Sequence, residues 1–226
     1  QNGPIPIRIY RPLGEGPHPA LIFYHGGEFV IGDLNTHDKE CRLLCAKAGC
    51  IVVAVDYRLA PESPFPAAVE DAWAALDWIA SEGSKLGIDT TRLAVGGDSA
   101  GGNLSAVVAL MARDASLDLR LQMLVYPATD ASKYYESFSE NEDGPLLTVE
   151  VIEWFWSHYL GKATDDEVRN DWRFSPAKAA SHNGVAPSYI ATCSADPLRD
   201  EGNAYAAQLS EAGVNVQHSM FEGQPH

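Results

Sequence analysis

The chain has 226 residues, enough for one domain with a sizeable core, and its 46% hydrophobic and 21% charged residues are an ordinary globular composition. Its 31 acidic against 16 basic residues give a formal charge of -15, which argues against nucleic acid and anionic membrane surfaces as partners. No uninterrupted apolar stretch is long enough to span a bilayer, and no signal-peptide pattern opens the chain.

Gln1 is not an initiator methionine, so a targeting segment is not excluded by its absence here. Cys41, Cys45, Cys50 and Cys193 form no C-x-x-C pair; they read as small buried thiols rather than metal ligands, and a reducing, cytoplasmic location is expected. No metal and no cofactor is expected. The acids gather at 136–143 and 165–167, as solvated loop charge does.

Short β-branched runs alternate with helical ones. Residues 5–10 read as an edge strand, because Pro4 and Pro6 cannot donate to a ladder. The short apolar strand 21–24 ends in His25-Gly26-Gly27-Glu28-Phe29, a turn suited to exposing backbone N–H groups. A helix over 36–48, capped by Thr36 and closed by Gly49, leads to the continuous apolar strand 51–55, of the kind buried on both faces in parallel sheets.

A second helix over 67–80 has Pro66 near its start, and the strand 93–97 runs into Asp98-Ser99-Ala100-Gly101-Gly102. A serine in G-x-S-x-G spacing between strand and helix is the pattern of a nucleophile elbow, where only residues without Cβ leave room for neighbouring backbone. Helix 100–115 and strand 121–126 follow. Residues from 127 to about 187 are too many for a simple connection and read as an insertion, with a helix at 149–160 carrying Trp154, Phe155, Trp156 and Tyr159. Strand 188–193, a helix over 202–212 closed by Gly213, and strand 214–221 complete the pattern. The expectation is a single α/β domain over 1–226, with a mostly parallel sheet, helices on both faces and a lid insert at about 128–186.

Ligands of such sheets bind at the carboxyl ends of strands, where a serine nucleophile also needs a base and an orienting carboxylate. Asp196 follows strand 188–193 and His226 follows the last strand, so the order is Ser, Asp, His. His218 is a second candidate base but falls inside a strand pattern, and His25 precedes the elbow. For the acid, Asp130 is the reserve, while Asp200 suits a helix cap. The oxyanion hole, in which N–H groups meet developing charge, would come from Gly26, Gly27 and Glu28 together with Ala100. Ser175-Pro176-Ala177-Lys178 fits S-x-x-K, but its partner motifs are absent.

His25-Gly26-Gly27, 56–62 (DYRLAPE), 97–102 (GDSAGG) and 196–201 (DPLRDE), closed by Gly223-x-x-His226, together resemble the hormone-sensitive lipase family of α/β-hydrolases, the bacterial type IV carboxylesterases. The resemblance runs nearly the whole length. It implies the α/β-hydrolase fold and hydrolysis of short- to medium-chain carboxylic esters through an acyl-enzyme. By it Ser99 is the nucleophile, His226 the general base and then acid, and Asp196 its orienting partner, with the DYRLAPE stretch as structural support. The implied partner is a small-molecule ester, with pairing of the last strand in a homodimer as a further expectation.

The chain departs from the family pattern in three places. Glu28 stands where the family carries a third glycine, which costs about 1 to 2 kcal/mol if φ is positive and aims a carboxylate at the developing charge if it points inward. Relatives also carry an N-terminal cap segment and a helix beyond the catalytic histidine, so the chain reads as a fragment or a trimmed form. The segment 154–159 is then the surviving half of a lid, unless that helix simply packs on the core. A non-catalytic ligand binder, as in the plant gibberellin receptors that resemble these esterases without the histidine, is the competing reading, with an esterase inactivated by truncation as a third.

Overall fold

A computed structural model describes residues 3–161 and 166–226; Asp165, which opens the second acidic run, lies outside them. Seven strands form one sheet: β1 (Ile7–Tyr10), β2 (His18–Tyr24), β3 (Ile51–Val55), β4 (Ile88–Asp98), β5 (Leu119–Val125), β6 (Ser188–Ala195) and β7 (Val216–Pro225). Their spatial order is β1-β3-β2-β4-β5-β6-β7, with β1 antiparallel to β3 and the remaining pairs parallel. The helices are α1 (Asp38–Ala48), α2 (Ala67–Glu82), α3 (Ala100–Asp114), α4 (Glu136–Glu140), α5 (Val149–Tyr159), α6 (Asp166–Arg169) and α7 (Arg199–Glu211). This is the mostly parallel α/β architecture that the alternating pattern predicts, and every residue of β3 is buried, as its unbroken apolar run requires.

The alternation of side chains along β2 divides the core. Ile22 and Tyr24 join the main cluster with Leu76 of α2 and Leu104 of α3, whereas Leu21 and Phe23 face Cys41 and Cys45 of α1. The direction in which successive strands are added to the sheet reverses between β2 and β4, because β3 lies on one side of β2 and β4 on the other. The crevice at this switch point is where such sheets hold ligands.

Several boundaries differ from the sequence expectation for local reasons. Helix α1 starts at Asp38 rather than at Thr36, because Thr36 Oγ1 accepts the Asp33 N–H and donates to the Asp33 carbonyl, closing a turn instead of capping a helix. Gly49 does close it in the left-handed conformation, with φ 63°. Helix α7 starts at Arg199, three residues before the expected 202, since Asp196 Oδ1 already accepts the Leu198 N–H and turns the chain. Strand β4 extends back to Ile88 through a polar stretch without alternation, and β7 runs from 216 to 225 rather than 214 to 221.

Candidate active site

Ser99 occupies the turn between β4 and α3 with φ 51° and ψ -117°, a conformation that L-residues rarely adopt. Close approach makes this strain possible: a Cβ on Gly97 or Gly101 would land on the carbonyl oxygen of Tyr24, the last residue of β2. The two glycines therefore let β4 and the start of α3 lie against β2, with Ser99 held at the carboxyl edge of the sheet.

His226 and Asp196 meet Ser99 there. His226 Nε2 lies 2.9 Å from Ser99 Oγ, and His226 Nδ1 lies 2.8 Å from Asp196 Oδ2. The other Asp196 oxygen accepts the Leu198 N–H, which fixes the carboxylate. Burial works against the charged form of His226, but Asp196 and its hydrogen bond outweigh it and raise the pKa above the ordinary value. The ring also packs on Tyr126, with centroids 4.6 Å apart.

The alternatives lie elsewhere. His218 is bonded to Thr192 Oγ1, and Asp130 accepts from Ser132 and Tyr135. Asp200 accepts the Ser137 N–H. His25 braces a loop: its Nδ1–H donates to the Gly26 carbonyl, its ring stacks on Tyr57 at 4.3 Å, and burial lowers its pKa, which keeps it neutral. Ser175 is buried, accepts the Ala131 N–H and donates to the Arg169 carbonyl, a structural role.

The loop after β2 brings Gly26, Gly27 and Glu28 to the serine, but not as three equivalent donors. The Gly26 N–H is committed to Asp98 Oδ1 at 3.1 Å, so Gly26 is corrected from donor to anchor. No hydrogen bond among the described residues uses the N–H of Gly27 or Glu28, and that of Ala100 opens α3, where the helix leaves it without an internal acceptor. Asp98 Oδ2 also meets His37 Nε2 at 3.1 Å. Sequence reading missed this anchoring by Asp98; its one signal is an acid directly before the elbow serine.

Glu28 does have positive φ, 51°, and Phe29 follows at 65°. Its side chain turns inward and is 3% exposed, with Oε1 2.9 Å from Ser99 Oγ. Burial pushes the carboxyl above its usual range, against the opposing pull of His226 and the Ser99 hydrogen bond.

Around these groups lies a cleft of about 440 Å³, walled on its apolar side by Ile31, Leu146, Leu147, Val151 and Phe155. Val151 and Phe155 come from α5, so this helix lines the cleft. The same helix packs on the core through Ile152, Trp156 and Tyr159, the last stacked on Phe29 at 4.0 Å. Leu146 and Leu147, before α5, were not singled out by sequence.

A family profile described as alpha/beta hydrolase fold matches residues 21–226. The chain belongs to the α/β-hydrolase family. This member of the α/β-hydrolase family is 50% identical over 220 residues to the carboxylic ester hydrolase LipN of Mycobacterium tuberculosis, a match covering 95% of the chain and 58% of the relative. It is 42% identical to an ethyl acetate hydrolase of Pseudomonas putida, covering 98% of the chain and 70% of that protein. A crystal structure of a hyperthermophilic esterase from Pyrobaculum calidifontis superposes with a TM-score of 0.94 at 43% identity, covering 99% of the chain and 72% of the esterase. The α/β-hydrolase thus groups with the hormone-sensitive-lipase-like bacterial carboxylesterases, while spanning little more than half of LipN and about seven-tenths of the other two. No helix among its described residues is long and apolar enough to cross a membrane.

Proposed function

We propose that this protein is a serine carboxylesterase that hydrolyses short- to medium-chain esters through an acyl-enzyme. The observation that carries the reading is the unbroken hydrogen-bonded path Asp196–His226–Ser99, with steps of 2.8 and 2.9 Å, on a strained elbow at the sheet's switch point. Ser99 Oγ attacks the ester carbonyl carbon as its proton passes to His226 Nε2. The carbonyl π pair moves to oxygen, and the resulting oxyanion is met by the N–H groups of Gly27, Glu28 and Ala100. Collapse expels the alcohol, which takes the proton from His226. Water, activated by the same imidazole, then releases the acid and frees Ser99. Asp196 holds Nδ1–H so that Nε2 faces the serine, and stabilises the imidazolium.

The apolar wall from Ile31 to Phe155 and a volume of about 440 Å³ suit a modest acyl group. His226 in contact with both partners speaks against the non-catalytic ligand-binding alternative, and the relatives' names all describe hydrolases. Four buried, unbridged cysteines support a reducing, cytoplasmic location, and the outer edge of β7 supports pairing with a second copy.

Hydrolysis of p-nitrophenyl acetate through hexanoate tests the reading. The native chain is expected to react with a fluorophosphonate probe, and Ser99→Ala to lose both labelling and about 10⁶-fold in turnover. A native protein that neither hydrolyses these esters nor takes the label sinks the assignment.

A further inference from the structure

Ser99 Oγ has one hydrogen and two close partners, His226 Nε2 and Glu28 Oε1, each at 2.9 Å. With a neutral imidazole and an ionised carboxylate, both partners are acceptors and a single proton must serve two contacts. One contact is then a lone pair facing a lone pair. The carboxylate, as the charged acceptor, draws the proton, and the serine hydrogen points away from its base.

One additional proton removes the conflict. Placed on Glu28, it is donated to Ser99 Oγ, which leaves the serine hydrogen directed at His226. Placed on His226, it makes an imidazolium that donates to Oγ while the serine bonds Glu28; that form contains no base. These two forms hold equal numbers of protons, so pH does not change their ratio. Only the first can attack.

We infer that Glu28 is a proton-holding gate on the nucleophile, and that Ser99 attacks an ester only while Glu28 is neutral. The inference deepens the esterase reading and rests on it. In the attacking form the serine proton goes to His226 Nε2, the Oγ–C bond forms, the carbonyl pair moves to oxygen, and Glu28 keeps its own proton, so no carboxylate opposes the oxyanion.

The charged and titratable neighbours are consistent with this division. Glu28 is faced by His226 at the end of β7, by Asp196 after β6, by Asp98 at the end of β4, by Tyr57 after β3 and by Glu201 on α7. Only His226 among these offers a positive charge, and Asp196 already claims its other nitrogen. Burial raises the Glu28 pKa and Asp196 raises that of His226, so both directions favour retention of the extra proton by the pair.

The expected consequence is an alkaline limb that an ordinary serine esterase lacks. The profile of kcat/KM against pH for p-nitrophenyl acetate should be bell-shaped in the native chain, falling about tenfold for each pH unit beyond the limb. In Glu28→Gln, whose amide donates to Oγ at every pH, and in Glu28→Gly, the rate should rise through the His226 pKa and stay level. Fluorophosphonate labelling rates should follow the same curves. A native profile with an alkaline plateau, or one that superimposes on that of Glu28→Gln, overturns the gate while leaving the esterase intact. The native curve alone decides this if a variant fails to fold. No hydrolysis and no labelling in any of the proteins overturns the esterase reading itself, and the gate with it.

Discussion

At the residue scale, Asp98 does more for the site than its anonymity in the G-x-S-x-G pattern suggests. One oxygen holds the Gly26 N–H and the other holds His37, so a single carboxylate ties the loop after β2 to the elbow and to the turn before α1. Asp98→Ala leaves the Gly26 N–H without its acceptor and loosens the loop bearing the proposed oxyanion donors Gly27 and Glu28. The expected cost is about 10- to 100-fold in kcat with KM little changed, read from steady-state kinetics. Burial lowers the His37 pKa, but Asp98 outweighs it and the net direction is upward. That pair therefore stabilises the fold fully on the acid side and loses its contribution as pH rises through the raised His37 pKa. In Asp98→Ala the midpoint of thermal unfolding should lose this pH dependence; an unchanged dependence contradicts the pairing. That Ser99, Asp196 and His226 meet at one place was legible because each follows a strand end in the order the fold demands. The Glu28 contact was legible only as a risk, since the loop's path depends on tertiary packing: the next residue, Phe29, stacks on Tyr159, 130 residues further along the chain.

At the element scale, the DYRLAPE stretch is a brace between α2 and the loop after β2 that carries the proposed N–H donors. The Arg58 backbone N–H and Nε both donate to Asp71 Oδ2, at 2.9 and 2.8 Å, and its guanidinium also reaches Oδ1 at 2.8 Å. Next to it the Tyr57 hydroxyl donates to the His25 carbonyl and the Ala60 N–H to the Phe29 carbonyl. Arg58→Met strands the Asp71 carboxylate, which is 2% exposed, and should cost about 2 to 3 kcal/mol, discounted because Arg58 is itself partly exposed. Urea denaturation measures this, and Arg58→Met with Asp71→Leu should recover part of the loss. An unchanged midpoint for the single variant contradicts the brace. The strands and longer helices were legible because period and punctuation agree locally. The stretch between β5 and β6 was not, because its hydrogen bonds go to distant elements: Asn103 of α3 donates to the Ala128 and Phe174 carbonyls, and Glu201 of α7 accepts the Thr129 N–H.

At the scale of the whole molecule, charge sets a condition on the fold that no single contact reveals. A formal charge of -15 on 226 residues is self-repulsion, and it favours expansion. The ion pairs do not cancel it: Arg42–Asp38, Lys85–Glu82, Arg92–Asp89 and Arg120–Asp118 lie where at least one partner is half or more exposed, and water weakens each of them. Salt screens both effects, but the repulsion among 31 acidic against 16 basic residues acts at long range, where screening is most complete. The Debye length falls from about 10 Å at 0.1 M to about 3 Å at 1 M. Sodium chloride should therefore raise the thermal midpoint over that range, whereas a protein held together by its surface pairs would lose stability. Differential scanning calorimetry in chloride, which avoids the exclusion effects of sulfate, separates the two. A midpoint that falls as chloride rises would place the pairs, rather than the net charge, in control of this fold.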